Sequence, residues 1–110
     1  MSYEVKNVNG AAVVALTGDV DLQTSPVVRQ KLLESLEQYK RIVVDLSAVN
    51  YIDSSGVASL VEAFQVSRKK GTSFSLASVS SAAMRVLSLA RLDKVFTIHP
   101  SVEAALAAQG

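Results

Sequence analysis

The run Tyr51-Ile52-Asp53-Ser54-Ser55-Gly56-Val57 sets two hydroxyls directly before an apolar-periodic segment. The first turn of a helix has unpaired backbone N–H groups and carries the positive end of the peptide dipole, so an anion placed there is tolerated. A phosphate on Ser54 or Ser55 would add about −1.5 to −2 charges beside Asp53 and turn a docking surface into a repulsive one. Asp19 and Asp21, in Gly18-Asp19-Val20-Asp21-Leu22, are further acidic neighbours if the fold brings that turn close. This is the chemistry of a switch rather than of a catalyst. The bland alternative is that Ser54 or Ser55 only caps the helix, as any Ser-Ser-Gly before an amphipathic run does.

Other chemistries lack their residues. The only histidine, His99, precedes Pro100 and has no nucleophile elbow to serve, so it reads as a surface turn residue. Glycines 10, 18, 56, 71 and 110 fit no phosphate-cradling spacing, and Lys70-Gly71-Thr72 has its lysine on the wrong side. Asp19 and Asp21 are too few oxygens for a calcium site, and the absence of cysteine removes the usual structural zinc ligands. The reading is therefore a binding protein without catalytic residues, metal or cofactor. Arg68-Lys69-Lys70 suits the basic last turn of a helix better than a phosphate or lipid site.

Strands and helices must position the serine pair. Tyr3 to Asn7 and Ala11 to Thr17 are β-rich runs around Asn9-Gly10, a tight-hairpin dipeptide. Gly18 to Leu22 is expected to break the strand, and Ser25-Pro26 to open a helix as cap and first residue. Its stripe of Val28, Leu32, Leu33, Leu36 and Tyr39 runs to Lys40-Arg41, which complement the dipole. Ile42-Val43-Val44 with Leu46 suits a central strand, with Ser47 to Ile52 as the following loop. Val57, Leu60, Val61 and Phe64 give a second helix, capped by Ser54 or Ser55 and stopped at Gly71. Phe74 and Leu76 mark another strand. A third helix starts at Ser80 or Ser81 with Ala83, Val86, Leu87 and Ala90 inward; a strand over Val95 to Ile98 and a helix over Ser101 to Ala108 close the chain. The alternation implies an α/β or α+β architecture.

Composition agrees. The chain has 110 residues, 49% hydrophobic and 19% charged, with 11 Lys+Arg against 10 Asp+Glu. One domain over 1–110 is expected, large enough to bury about 60 to 70% of its unfolded surface. A net charge of +1 provides no field to hold nucleic acid. The longest uncharged stretches, Asn7 to Gly18 and Gly71 to Met84, are short of the ~20 apolar residues of a membrane helix. Met1 to Val5 has neither the basic nor the apolar region of a secretion signal, so a cytoplasmic location is expected.

Three blocks in order carry a resemblance: Leu16-Thr17-Gly18-Asp19-Val20-Asp21, then Val43-Val44-Asp45-Leu46-Ser47 through Ile52-Asp53-Ser54-Ser55-Gly56-Val57, then the apolar spacing from Ala83 to Leu106. Across nearly its whole length the chain resembles a stand-alone STAS domain of the bacterial anti-sigma factor antagonists. The resemblance implies a mixed β-sheet of four to five strands with helices packed mainly on one side, and a role in partner switching. In that scheme the unphosphorylated antagonist binds an anti-sigma factor that is also a serine kinase. Phosphorylation of the first serine after the aspartate, here Ser54 with Ser55 as second choice, releases it, and a serine phosphatase resets it. Asp19, Asp21, Asp53, Ser54, Ser55, Gly56 and Val57 would face the partner. Small STAS proteins also resemble accessory subunits that dock on the ATPase of lipid-transporting ABC systems, and this is the alternative reading. Two departures stand out. Arg91 replaces a glycine common in the family, so the third helix is expected to stop without a left-handed glycine, and Ala58 is a mild change inside the second helix.

Overall fold

The Asn9-Gly10 turn takes left-handed backbone at both residues (φ 52° and 87°), and it joins β1 (Ser2–Val8) to β2 (Ala11–Val20) as an antiparallel hairpin. The computed structural model describes residues 1–109. After the hairpin come α1 (Ser25–Gln38), β3 (Arg41–Ile52), α2 (Ser54–Lys70), β4 (Ser73–Ala77), α3 (Ser81–Leu89), a 3₁₀ turn at Leu92–Lys94, β5 (Ile98–His99) and α4 (Val102–Gln109). The five strands lie in chain order β1-β2-β3-β4-β5, with every pair after the hairpin parallel.

Each strand face has its own core, because successive side chains point to opposite sides. Val14, Leu16, Ile42, Val44, Leu46 and Leu76 pack with Val28, Leu32 and Leu36 of α1, Leu60 and Ala63 of α2, and Ala83 and Leu87 of α3. The opposite face carries a smaller cluster of Val13, Val43 and Ala77 with Ala105 of α4. Three helices on one face and one on the other make a mixed-sheet α+β fold, as expected. Phe64, Phe74 and Phe96 fill the far end of the larger core, the first and last meeting edge to face with centroids 5.4 Å apart.

Several boundaries differ from the sequence expectation, each because distant pairing overrides a local signal. Gly18 to Val20 continue β2, and Ser47 to Ile52 continue β3 instead of forming a loop. Two register shifts in the β2–β3 ladder let Ala48, Val49, Tyr51 and Ile52 find partners in Thr17, Gly18, Asp19 and Val20. The first helix stops at Gln38 without a basic last turn. Arg41 belongs to β3, and its Nη2 donates to the Leu106 carbonyl at 2.7 Å, serving the C-terminal turn of α4 instead. Thr24, not Ser25, holds the cap position of α1, with Pro26 in the first turn as expected.

The last strand is only Ile98–His99, because Phe96 turns inward to the aromatic cluster. His99 lies in that strand, half-buried, rather than in a surface turn. Ala90 is exposed, not inward. Arg91 itself adopts the left-handed conformation (φ 61°), so α3 ends through the geometry usually given to glycine. Gly71 caps α2 behind Arg68-Lys69-Lys70 as expected, and Lys70 reaches Glu37 of α1 at 3.2 Å.

Candidate functional site

Asp53, and neither serine, caps α2. Its Oδ1 accepts from the Ser55 N–H at 2.9 Å and the Gly56 N–H at 3.1 Å, and its carbonyl accepts from the Val57 N–H. The donors that would have received an added anion are thus already engaged by a carboxylate. A phosphate on Ser54 would meet Asp53 beside it and project its charge outward. Asp53→Ala removes this cap and is expected to lower stability by about 1 kcal/mol, read as a fall in the urea midpoint with unchanged slope.

The two serines differ in environment. Ser54 is exposed in the first helical position, whereas Ser55 is half-buried and its carbonyl accepts from the Ser59 hydroxyl at 3.1 Å. Gly56 and Val57, named with them from sequence, are buried. Gly56 acts by its small size: a Cβ there would lie 2.7 Å from Ile52 Cγ1 and 2.8 Å from both Val20 Cγ1 and the Val20 carbonyl oxygen.

The acidic turn does come to the serine loop, through the backbone. The Asp53 N–H donates to the Val20 carbonyl at 3.1 Å, which seats the residue between Asp19 and Asp21 directly against the helix start. Asp19 is exposed, and its carbonyl lies 3.0 Å from the Thr24 hydroxyl. Asp21 folds inward as a local cap: its Oδ1 accepts from the Thr24 and Gln23 N–H groups, both at 3.0 Å, and lies 3.1 Å from the Thr24 hydroxyl. These bonds, the Thr24 N–H foremost, hold the Asp21 carboxyl below its ordinary 3.8. Its contribution to stability is therefore complete above pH 3.8 and is lost as the pH falls through the lower folded value. Asp21→Asn keeps the acceptor but cannot titrate, so its melting temperature should fall less steeply than that of the wild type on acidification below that pH.

Beside Ser54 an open groove of about 560 Å³ runs between α2 and α3. Val57, Ala58, Val61, Val86 and Ala90 give it an apolar lining, and Glu62 and Gln65 form its polar border. Glu62 is oriented by Arg29 of α1, whose Nε and Nη2 lie 2.8 and 2.7 Å from Oε2, and this pair holds the Glu62 carboxyl below its usual range. Leu22, Tyr51 and Leu89 are further exposed apolar side chains, at 72%, 52% and 81% exposure. Val61 and Val86 pack against the core as the sequence pattern implies and also line the groove, whereas Ala90, expected inward, is exposed on it. One signal was present: Ser54, Ala58, Val61 and Gln65 recur at helical spacing along one side of α2.

The start of α2 thus combines an exposed hydroxyl, a carboxylate cap, an apolar groove alongside and an acidic turn against it. The model of the STAS domain matches residues 2–105. The chain belongs to the STAS domain family. This STAS chain is 31% identical to the anti-sigma-F factor antagonist of Mycobacterium tuberculosis, over 96% of its length and 87% of the relative's. It is 28% identical to the anti-sigma-B factor antagonist of Bacillus subtilis, over 94% of each chain. The crystal structure of an anti-sigma factor antagonist from Mycobacterium paratuberculosis superimposes with a TM-score of 0.87 at 30% identity, covering 97% of this chain and 92% of that one. Among the described residues no helix is long and apolar enough to cross a membrane, and no three His, Asp or Glu side chains are placed to share a metal ion.

Proposed function

We propose that this STAS chain is an anti-sigma factor antagonist working in the cytoplasm as a single domain. Its unphosphorylated form binds an anti-sigma factor that is also a serine kinase, and phosphorylation of Ser54 ends the complex. The observation that carries this reading is the contrast at the start of α2. Ser54 is exposed and lines an apolar groove, while Ser55 is half-buried and does not line it. The antagonist names of the relatives support the same role.

The chemistry belongs to the partner. An exposed Ser54 hydroxyl can enter a kinase active site, where the kinase supplies ATP, magnesium and the group that accepts the hydroxyl proton as the γ-phosphoryl is transferred to Oγ. A serine phosphatase would hydrolyse the ester and restore the hydroxyl. The chain itself acts as a binding protein and substrate, not as an enzyme. On binding, the groove gives the apolar contact, Glu62 with its Arg29 partner and Gln65 give it a polar border, and Asp19 and Asp53 add acidic groups around Ser54.

Capture from the native host, with phosphosites mapped by mass spectrometry, tests the proposal. A serine kinase retained by the unmodified chain, and phosphate on Ser54 after incubation with ATP, is the expected result. Retention of an ABC ATPase regardless of phosphatase treatment would replace the switch by the transporter-subunit reading.

A further inference from the structure

The strand β1 forms one edge of the sheet, with β2 on one side and, among the described residues, no strand paired along the other. It is seven residues long, has no proline, and is exposed at every position from Ser2 to Asn7. Such an edge presents a row of backbone donors and acceptors to any extended strand. From these features we propose that β1 pairs antiparallel with β1 of a second copy of this chain, joining two sheets into one of ten strands.

The argument is the strand's own self-complementarity. Antiparallel pairing of a strand with itself places an axis of symmetry on one residue. With the axis on Val5, Glu4 stands opposite the partner's Lys6 and Lys6 opposite its Glu4, while Ser2 and Tyr3 face Val8 and Asn7. That register uses all seven residues of β1. Moving the axis to Glu4 or Lys6 sets like charges directly opposite one another, which is destabilising. Within one copy Lys6 Nζ already lies 3.4 Å from Glu4, both side chains nearly two-thirds exposed, so pairing would close a ring of four alternating charges. Across β2 the same two residues face only Ala15 and Val13. On the other face of the strand, Tyr3 and Val5 are exposed apolar side chains (42% and 39%), and the axis sets Val5 against Val5.

Geometry also keeps this surface apart from the proposed switch. The helix α1 stands between them, with its Lys31 ammonium over the Tyr3 ring at 5.4 Å and its Arg29 bound to Glu62 of α2. Both copies of Ser54 stay accessible in the pair, so the dimer does not depend on the phosphorylation reading.

The test is the dimer dissociation constant from sedimentation equilibrium, measured with wild type, Lys6→Glu, Glu4→Lys and the double exchange Glu4→Lys/Lys6→Glu. Each single exchange replaces two attractive cross-strand pairs by two repulsive ones and should weaken the dimer at least about tenfold. The double exchange restores opposite charges across the axis and should return the constant to within about threefold of wild type. Melting temperature of each variant monitors the monomer fold, which these exposed side chains should not alter. A chain that stays monomeric at the highest concentration, or a dimer indifferent to the single exchanges or not rescued by the double one, overturns the proposal.

Discussion

Ser54→Asp is expected to weaken binding of the anti-sigma factor by about a hundredfold or more, and Ser54→Ala to leave it within a few-fold of wild type. Like charges forced together in an interface cost several kcal/mol, and about 1.4 kcal/mol corresponds to each tenfold. The added carboxylate would sit beside Asp53, whose own carboxylate already occupies the Ser55 and Gly56 N–H groups, so the helix start offers it little compensation. Truncation to alanine removes only an exposed hydroxyl that lines the groove. Titration calorimetry with purified partner measures both variants. Ser55→Ala serves as a control, since phosphate should still be incorporated at Ser54. Equal affinity of Ser54→Asp and Ser54→Ala would remove added charge as the signal, and label lost only in Ser55→Ala would move the site by one residue.

Gly56→Ala should be among the most damaging single-methyl additions in the chain. The new Cβ would approach Ile52, Val20 and the Val20 carbonyl at 2.7 to 2.8 Å, and one of those atoms belongs to backbone, so the neighbours cannot simply swing aside. Inserting a methyl into a well-packed site costs typically about 1 to 3 kcal/mol, a drop of roughly 5 to 20 °C in melting temperature for a domain of this size. Relief by pushing α2 away from β2 would strain the Asp53 to Val20 hydrogen bond, so presentation of Ser54 should suffer together with stability. Differential scanning calorimetry reads the first effect, and the rate of Ser54 phosphorylation at a temperature where the variant is folded reads the second. A melting temperature within about 2 °C of wild type would show that the site relaxes freely, against the contact geometry.

Much of this was legible in particular residues. Asn9-Gly10 carries its turn locally, and Gly71 behind three cations ends α2 as its type and place require. Both need only the φ angles that a few adjacent residues prefer. The Asp-Ser-Ser-Gly run likewise marks a helix start. Its capping residue was misassigned because serine and aspartate are near-equal caps, and the choice depends on which side chain the loop turns back toward the helix. In this protein that loop is fixed by Asp53 donating to Val20.

Longer-range features were not legible. Ser47 and Asn50 look like loop residues, yet they lie in a strand because the register shifts of β2 bring Thr17 to Val20 alongside. Arg91 departs from the usual glycine but still takes left-handed backbone where α3 meets the 3₁₀ turn.

By itself the sequence determined the alternation of strands and helices, the family likeness and the place of a hydroxyl pair at a helix start, because all three rest on residue type and local spacing. Tertiary structure alone decided that Ser54 faces solvent while Ser55 is half-buried, and that Ala58, Val61, Val86 and Ala90 share a groove. The physical reason is that exposure and grooves arise where helices remote in sequence pack at a particular rotation and separation, which no local propensity encodes.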